Sequence, residues 1–386
     1  MKQLPNLQTE GYIMNNSGDN WEFAFILPNI SIKDPVGNDN IAICSPSDPR
    51  VEALMQLHSN IRYLVTGFTD QSNRKITPSV LIRKNRSPNK YSLDSLIDFR
   101  NIYAICCVIS GWQNLLNRDD GQLMPSNVLY SDYFDIYPIV PSSMDDYLAI
   151  ISPAARGLDT ASEFTGQISP GIVSQVYNPH YDDALFKALS KEWMKRHILR
   201  RYSDWELISL FRSLQIAYQA LSMADSNFST IYDYGTNLCL WVSAFEILAH
   251  PKNGSVNLQS VLSLLDNSFL SKELLKRLYT VDFHKKSHRV NLVQKLYCQI
   301  YNARNCYIHG NPVKTKDVTP WGKTNRHPLY TFAPLIFEVA LISRTDINYD
   351  LDDDDRVFNQ MKIERALLKS KSKKPKSIWN RYNASR

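Results

Sequence analysis

From about residue 182 the apolar positions recur every three or four residues, the spacing of helices that bury one face. Leu207, Leu210, Phe211, Leu214, Tyr218 and Leu221 form one such stripe, and Ser203 with Glu206 has the form of a capping box at its start. A second helix is expected from near Thr236 through Leu240, Trp241, Ala244, Phe245 and Leu248, stopped by Pro251. Shorter helices are expected over 257–266 and 271–281. A long helix over 290–309 follows, with Leu292, Val293, Leu296, Tyr297, Ile300, Tyr301 and Ile308 on one stripe. Two more are expected at 333–345 and 356–369, the second after an acidic run, "DLDDDD", that suits a helix N-terminus.

Residues 1–180 carry a different pattern. "WEFAFIL" (21–27), "IRYLVTGF" (61–68) and "SVLIRK" (79–84) have the β-branched and aromatic content of strands. Residues 92–116 read as one long buried helix, "YFDIYPIVP" and "DYLAIISP" as strands, and 152–180 as a Pro- and Gly-punctuated connector. The expected fold is an α+β N-terminal domain (1–180), then an all-α helical bundle (181–350). Residues 351–386 are expected to add a helix and a basic tail, whose "KSKSKKPK" (369–376) is of low complexity and expected to be disordered.

Composition narrows the setting. With 386 residues, 44% of them hydrophobic, the chain can bury a sizeable core. No run approaches the roughly 18 apolar residues of a membrane span, and no charged leader precedes an apolar segment at the N-terminus. Six cysteines, with Cys106 and Cys107 adjacent, do not read as a disulfide framework, so a cytoplasmic location without membrane attachment is expected. The net charge of +6 divides into −5 for residues 1–180 and +11 for 181–386, and residues 356–386 alone carry +9. That asymmetry points to a polyanion partner for the C-terminal half, although a solvated basic tail explains most of it.

The sharpest chemical candidate is "NARNCYIHGNP" (302–312), in which Arg304 precedes His309 by five residues. Arg followed four to six residues later by His is uninformative by itself: about one such pair is expected by chance in this composition. A second pair, Arg277 and His284, lies among lysines and reads as solvated surface. Arg304 falls on a stripe that should be buried, where a fixed cation needs a partner or a cleft. His309 sits at the helix end, because Gly310 supplies a left-handed position and Pro312 forbids continuation. Asn305 adds an amide able to hold a phosphate oxygen or orient a neighbour.

"YNARNCYIHGNP" resembles the active-site helix of HEPN-domain ribonucleases, in particular the Apea-like HEPN branch. That motif is Arg, commonly followed by Asn, Asp or His, then His, often with Gly after it; Arg304, Asn305, His309 and Gly310 match. "LWVSAFEILAHP", with Glu246 embedded, resembles the family's upstream apolar helix, and "FAPLIFEVALISR" its closing helix. The resemblance covers roughly 204–345 and nothing in 1–180. It implies a HEPN-type bundle and a metal-independent endoribonuclease that needs no cofactor. It further implies a homodimer in which two Arg and two His line one cleft. His309 would act as general acid/base and Arg304 as a phosphate clamp, with Asn305 and Glu246 supporting them. The implied setting is a toxin or anti-phage defence effector acting on RNA, transfer RNA among the candidates, and restrained by an antitoxin or released by a phage-derived trigger.

Other readings stay open. Arg304 could pair with Glu246 inside the bundle and His309 could serve only as a helix cap, leaving a non-catalytic HEPN-like module that binds nucleic acid or protein. His284 and His288 could share one helical face, but no carboxylate or cysteine completes a zinc site, and no metal is expected. Lys285, Lys286 and Arg289 around them read as candidate contacts to an RNA backbone. "YDYG" (232–235) could stack bases, although tyrosines at a helix start more often pack. The glycine-rich phosphate loops and the GxSxG elbow are absent from the sequence, so nucleotide-dependent and serine-hydrolase chemistry lack their usual parts.

Overall fold

The computed structural model describes residues 21–84, 92–119, 124–141, 147–149, 164–222, 230–266, 269–283, 286–345 and 353–373. The chain separates into two compact units, one comprising Met1–Arg100 and Asp132–Pro179, the other Asn101–Ser131 and His180–Arg386. It has a strand-rich N-terminal region followed by a mostly helical part.

The first unit contains β1 (Trp21–Leu27), β2 (Ile30–Ser31), β3 (Val36–Gly37), β4 (Ile41–Cys44), α1 (Pro49–Leu57), α2 (Ser59–Thr66), β5 (Phe68–Thr69) and β6 (Ser79–Lys84). Helix α3 (Leu93–Asn117) begins in it, and β7 (Tyr137–Pro141), β8 (Tyr147–Ala149), β9 (Gly166–Gln167) and β10 (Val176–Tyr177) complete it. One sheet has the order β3-β4-β6-β1-β7-β8, with antiparallel neighbours throughout. Phe23, Ile26, Val80 and Ile82 bury one of its faces beside Leu54, Ile61, Leu64 and Val65 of α1 and α2.

The expected strands at 21–27 and 79–84 are β1 and β6. "IRYLVTGF" is not a strand: its first six residues belong to α2, and only Phe68 enters β5. Its buried residues Ile61, Leu64 and Val65 stand at i, i+3 and i+4, a helical period that β-branched content masked. In "YFDIYPIVP" only Tyr137–Pro141 is a strand, after a 3₁₀ turn at Ser131–Phe134, and in "DYLAIISP" the described strand is Tyr147–Ala149. Residues 152–163 of the expected connector lie outside the described residues.

The second unit holds the remainder of α3 and then α4 (Asp183–Trp193), α5 (Trp205–Leu221), α6 (Ile231–Leu248), α7 (Leu258–Leu264), α8 (Lys272–Lys276), α9 (Leu292–Ile308), α10 (Ala333–Arg344) and α11 (Asp353–Leu368). A hairpin of β11 (Tyr279–Phe283) and β12 (Lys286–Val290) interrupts the helices, so the unit is mostly rather than wholly α. The expected helix over 271–281 ends at Lys276 because Tyr279–Phe283 finds a strand partner instead. Helix α5 is capped by Asp204, which accepts from the Glu206 amide, rather than by Ser203. Helix α6 starts five residues earlier than expected, at a Thr230–Asp233 capping box. Its core is aromatic: Phe245 of α6 lies edge-on to Tyr297 of α9 at 4.9 Å and to Phe337 of α10 at 5.4 Å. Ser213 of α5 donates to the buried Ala244 carbonyl at 2.7 Å, fixing α5 against α6. Among the described residues no helix is long and apolar enough to cross a membrane.

Candidate functional site

Helix α9 positions the candidate pair, and both its ends are specified locally. At the start Asn291 accepts from the Gln294 amide while Gln294 accepts from the Asn291 amide, each at 2.9 Å, a reciprocal cap. At the end His309 is the C-cap and Gly310 takes φ +67°. The Asn311 amide donates to the Cys306 carbonyl at 2.9 Å and the Gly310 amide to Tyr307 at 3.2 Å, the two bonds of a Schellman closure.

Leu292, Val293, Leu296, Tyr297, Ile300 and Ala303 are buried along α9. The stripe fails at its far end, where Ile308 is 56% exposed. Arg304 lies where the stripe meets solvent, with its side chain 18% exposed. Its Nη2 donates to both Glu246 oxygens, at 3.0 and 3.2 Å, and its Nη1 donates to Asn305 Oδ1 at 3.0 Å. The guanidinium carbon stands 5.3 Å from the centre of the Tyr301 ring, one helical turn earlier. Three groups thus fix one planar cation. Burial pushes the Glu246 carboxyl above its usual range and the Arg304 charge opposes that rise. The Cys239 thiol is likewise raised by burial and lowered by Arg304.

His309 is exposed, and its imidazole has no hydrogen-bond partner among the described residues. Five residues of α-helix turn through roughly 140°, so Arg304 and His309 of one chain point to different sides of α9. The end of the helix is anchored from α6. Tyr307 packs its ring where a Cβ on Gly235 would stand, 2.3 Å from the nearest ring atom, and its hydroxyl donates to the Ile231 carbonyl. Gly235 in "YDYG" therefore makes room for this ring. In the same stretch Tyr234 stacks on Tyr330 at 5.2 Å.

Comparison with protein-family models, with curated proteins and with solved structures finds no match.

The other candidates lie elsewhere. Lys286 and Arg289 are exposed on β12, which leads into the start of α9. His309 closes its other end, about 25 Å away along the axis at 1.5 Å per residue. Arg304, Asn305 and Glu246 therefore form one cluster, His309 follows five residues on at the helix end without a contact to it, and the two hairpin cations do not join it. His288 is on a strand, so the shared helical face expected for the two histidines does not exist; His284 and Lys285 lie outside the described residues. Among the described residues no group of three or more His, Cys, Asp or Glu side chains is gathered as a metal ion would require. From sequence Tyr301 stands only on the apolar stripe and Gly235 only within "YDYG", and neither they nor Tyr307 carry a site role there. Tyr301 was legible at i−3 from Arg304, whereas the Gly235–Tyr307 contact spans 72 residues and leaves no local trace.

Proposed function

We propose that the chain is a cytoplasmic, metal-independent endoribonuclease with a HEPN-type C-terminal bundle, acting as a homodimeric toxin or anti-phage effector that cleaves RNA, transfer RNA among its candidates, and stops translation. The observation that carries this reading is a guanidinium held on three sides at the end of α9, five residues before an exposed histidine at the helix terminus. RNA brings its own nucleophile. The ribose 2′-oxygen attacks phosphorus, a bond to phosphorus forms there, and the bond to the 5′-oxygen breaks. One His309 takes the 2′-hydroxyl proton, and a second His309, from another copy, gives a proton to the departing 5′-oxygen. Arg304 stabilises the charge on the two non-bridging oxygens through its planar fork. Asn305 and Glu246 are positioning residues that set its plane. The divergence of Arg304 and His309 around the helix supports a two-fold site, in which His309 of one copy stands beside Arg304 of the other. The exposed Ile308 next to His309 offers apolar surface for that contact.

The ion pair itself favours a second reading. Arg304 is already engaged by Glu246 and Asn305, which suits a bundle that binds nucleic acid or a partner without cleaving it. Incubating RNA with the purified chain in the presence of a chelator separates the two. Cleavage by the wild type and its loss in His309→Ala support the nuclease; binding without cleavage by both supports the module.

A further inference from the structure

Helix α3 ends in "LLNRD" (115–119) and α11 runs into "KSKSK" (369–373). Basic residues after a helix often only satisfy its last carbonyls. Here they are built into something more. Asn117 Nδ2 donates to the Lys362 carbonyl at 2.9 Å, tying the end of α3 to α11. The turn Lys369–Lys371 is then fastened at every residue. Lys369 Nζ reaches Asp119 at 2.6 Å, the carbonyl of the fully buried Ser370 accepts from Arg326 at 2.8 Å, and Lys371 Nζ contacts the Tyr279 hydroxyl. A turn fixed this firmly holds its neighbours in place.

Beside it lies a cavity of about 200 Å³ lined by Leu115, Leu116, Arg118, Asp119, His327, Lys369, Ser372 and Lys373. Three of the lining side chains, Arg118, Lys369 and Lys373, carry fixed positive charge against one carboxylate. That carboxylate is already engaged, by Lys369 at 2.6 Å and by Arg365 at 3.7 Å. Lys373 has no ion-pair partner among the described residues. The site therefore has excess positive charge in a concave setting, where several cations can make charge-assisted hydrogen bonds to one anion. The helix end works against an anion, so the side-chain cations must carry the binding. The volume is below that of pockets for drug-sized ligands and suits a tetrahedral oxyanion with a small substituent. Arg118 already donates one Nη1–H to Met124 Sδ at 2.8 Å and Lys369 is held by Asp119, so the remaining guanidinium protons, the Lys373 ammonium and the Ser372 hydroxyl are the donors that a doubly charged phosphate would draw on.

We propose that this pocket binds a terminal phosphate group, carried either by inorganic phosphate and small nucleotides or by the 5′ end of an oligonucleotide. It is a separate site from Arg304 and His309 and does not depend on the chain being a nuclease. The test is calorimetric titration of the full chain at low salt with inorganic phosphate, with adenosine monophosphate, and with a short oligoribonucleotide bearing a 5′-phosphate or a 5′-hydroxyl. Phosphate and nucleotide should saturate one site. Lys373→Glu, an exposed change past the last turn, and Arg118→Ala should each weaken binding about tenfold or more, while Arg212→Glu on the exposed face of α5 should leave it unchanged. A 5′-phosphate preference in the oligonucleotide, lost in Lys373→Glu, identifies an RNA end as the source; equal binding of both oligonucleotides identifies the small anion. Absence of saturable phosphate binding by the wild type overturns the proposal. So does unchanged affinity in both Lys373→Glu and Arg118→Ala.

Discussion

Replacing Arg304 with alanine strands the Glu246 carboxylate. The two side chains are 18% and 23% exposed and joined at 3.0 Å. Breaking a fully buried pair costs roughly 3–5 kcal/mol, and water reaching this one screens a share of that, leaving about 2 kcal/mol. In a domain of this size that lowers the thermal midpoint by about 5 °C. The penalty has a pH signature. Burial already raises the Glu246 pKa, and Arg304 is what opposes the rise, so the variant raises it further. An acid whose folded-state pKa lies above its unfolded value binds more protons when folded. Its contribution is complete below the unfolded value and is lost as pH rises through the folded one. Urea unfolding of wild type, Arg304→Ala, Glu246→Gln and the double variant at pH 7.5 and pH 5.0 reads this directly. Arg304→Ala should be more destabilising at pH 7.5 than at pH 5.0, and adding Glu246→Gln should recover part of the loss, because a neutral amide needs no cation. A loss within about 0.5 kcal/mol at pH 7.5, or one that grows on acidification, would show that Arg304 does not hold the Glu246 charge. The same arithmetic bears on any activity assay: lost cleavage in Arg304→Ala would mix chemistry with folding, whereas His309 is exposed and His309→Ala should leave the thermal midpoint unchanged.

Three further outcomes are expected. Gly235→Ala gains up to about 1 kcal/mol of helix propensity yet drives a methyl into the Tyr307 ring, so it should destabilise by a net 1–3 kcal/mol in urea unfolding and loosen the end of α9. Glu338 is fully buried on α10, where burial, with Asp182 beside it, lifts its pKa well above the usual range while Gln113 donates to it. The wild type should therefore lose stability as pH rises above the ordinary glutamate range, Glu338→Gln should flatten that decline, and a decline of equal slope in the variant would contradict the assignment. Truncation after residue 373 should flatten the salt dependence of RNA binding while leaving the maximal cleavage rate unchanged, as measured by filter binding across a salt series. Cutting after Leu368 is a poorer test, because it also removes the anchored turn Lys369–Lys371.

Much of α9 was legible from sequence because its information is local. The apolar period, the glycine that accepts a positive φ and the proline after it placed the helix, its end and the exposed histidine within two residues. The strands at 21–27 and 79–84 were equally plain, since both faces of a central strand are apolar. Composition misled where it stood in for period, at "IRYLVTGF", whose isoleucine, leucine and valine follow a helical spacing. It failed again at Tyr279–Phe283, where hairpin pairing with Lys286–Val290 overrides the run-on from α8. The Arg304–Glu246 pair was foreseeable as one of two outcomes for a cation on a buried stripe. The Tyr307–Gly235 contact was not, because a glycine inside a helix reads as a defect until the ring that occupies its place is known. Long-range packing sets the plane of the guanidinium, and no pattern along α9 alone contains it.

Whether Arg304 and His309 cleave RNA through the ribose 2′-oxygen is read most directly by end-group analysis of an end-labelled RNA incubated with the purified full chain and a chelator, beside the same RNA with a single 2′-deoxy substitution at the cleaved position. The expected result is a 2′,3′-cyclic phosphate and a 5′-hydroxyl from wild type, no cut at the deoxy position, and no products from His309→Ala of unchanged thermal midpoint. Cleavage that survives the deoxy substitution, leaves a 3′-hydroxyl, or persists in His309→Ala would contradict it.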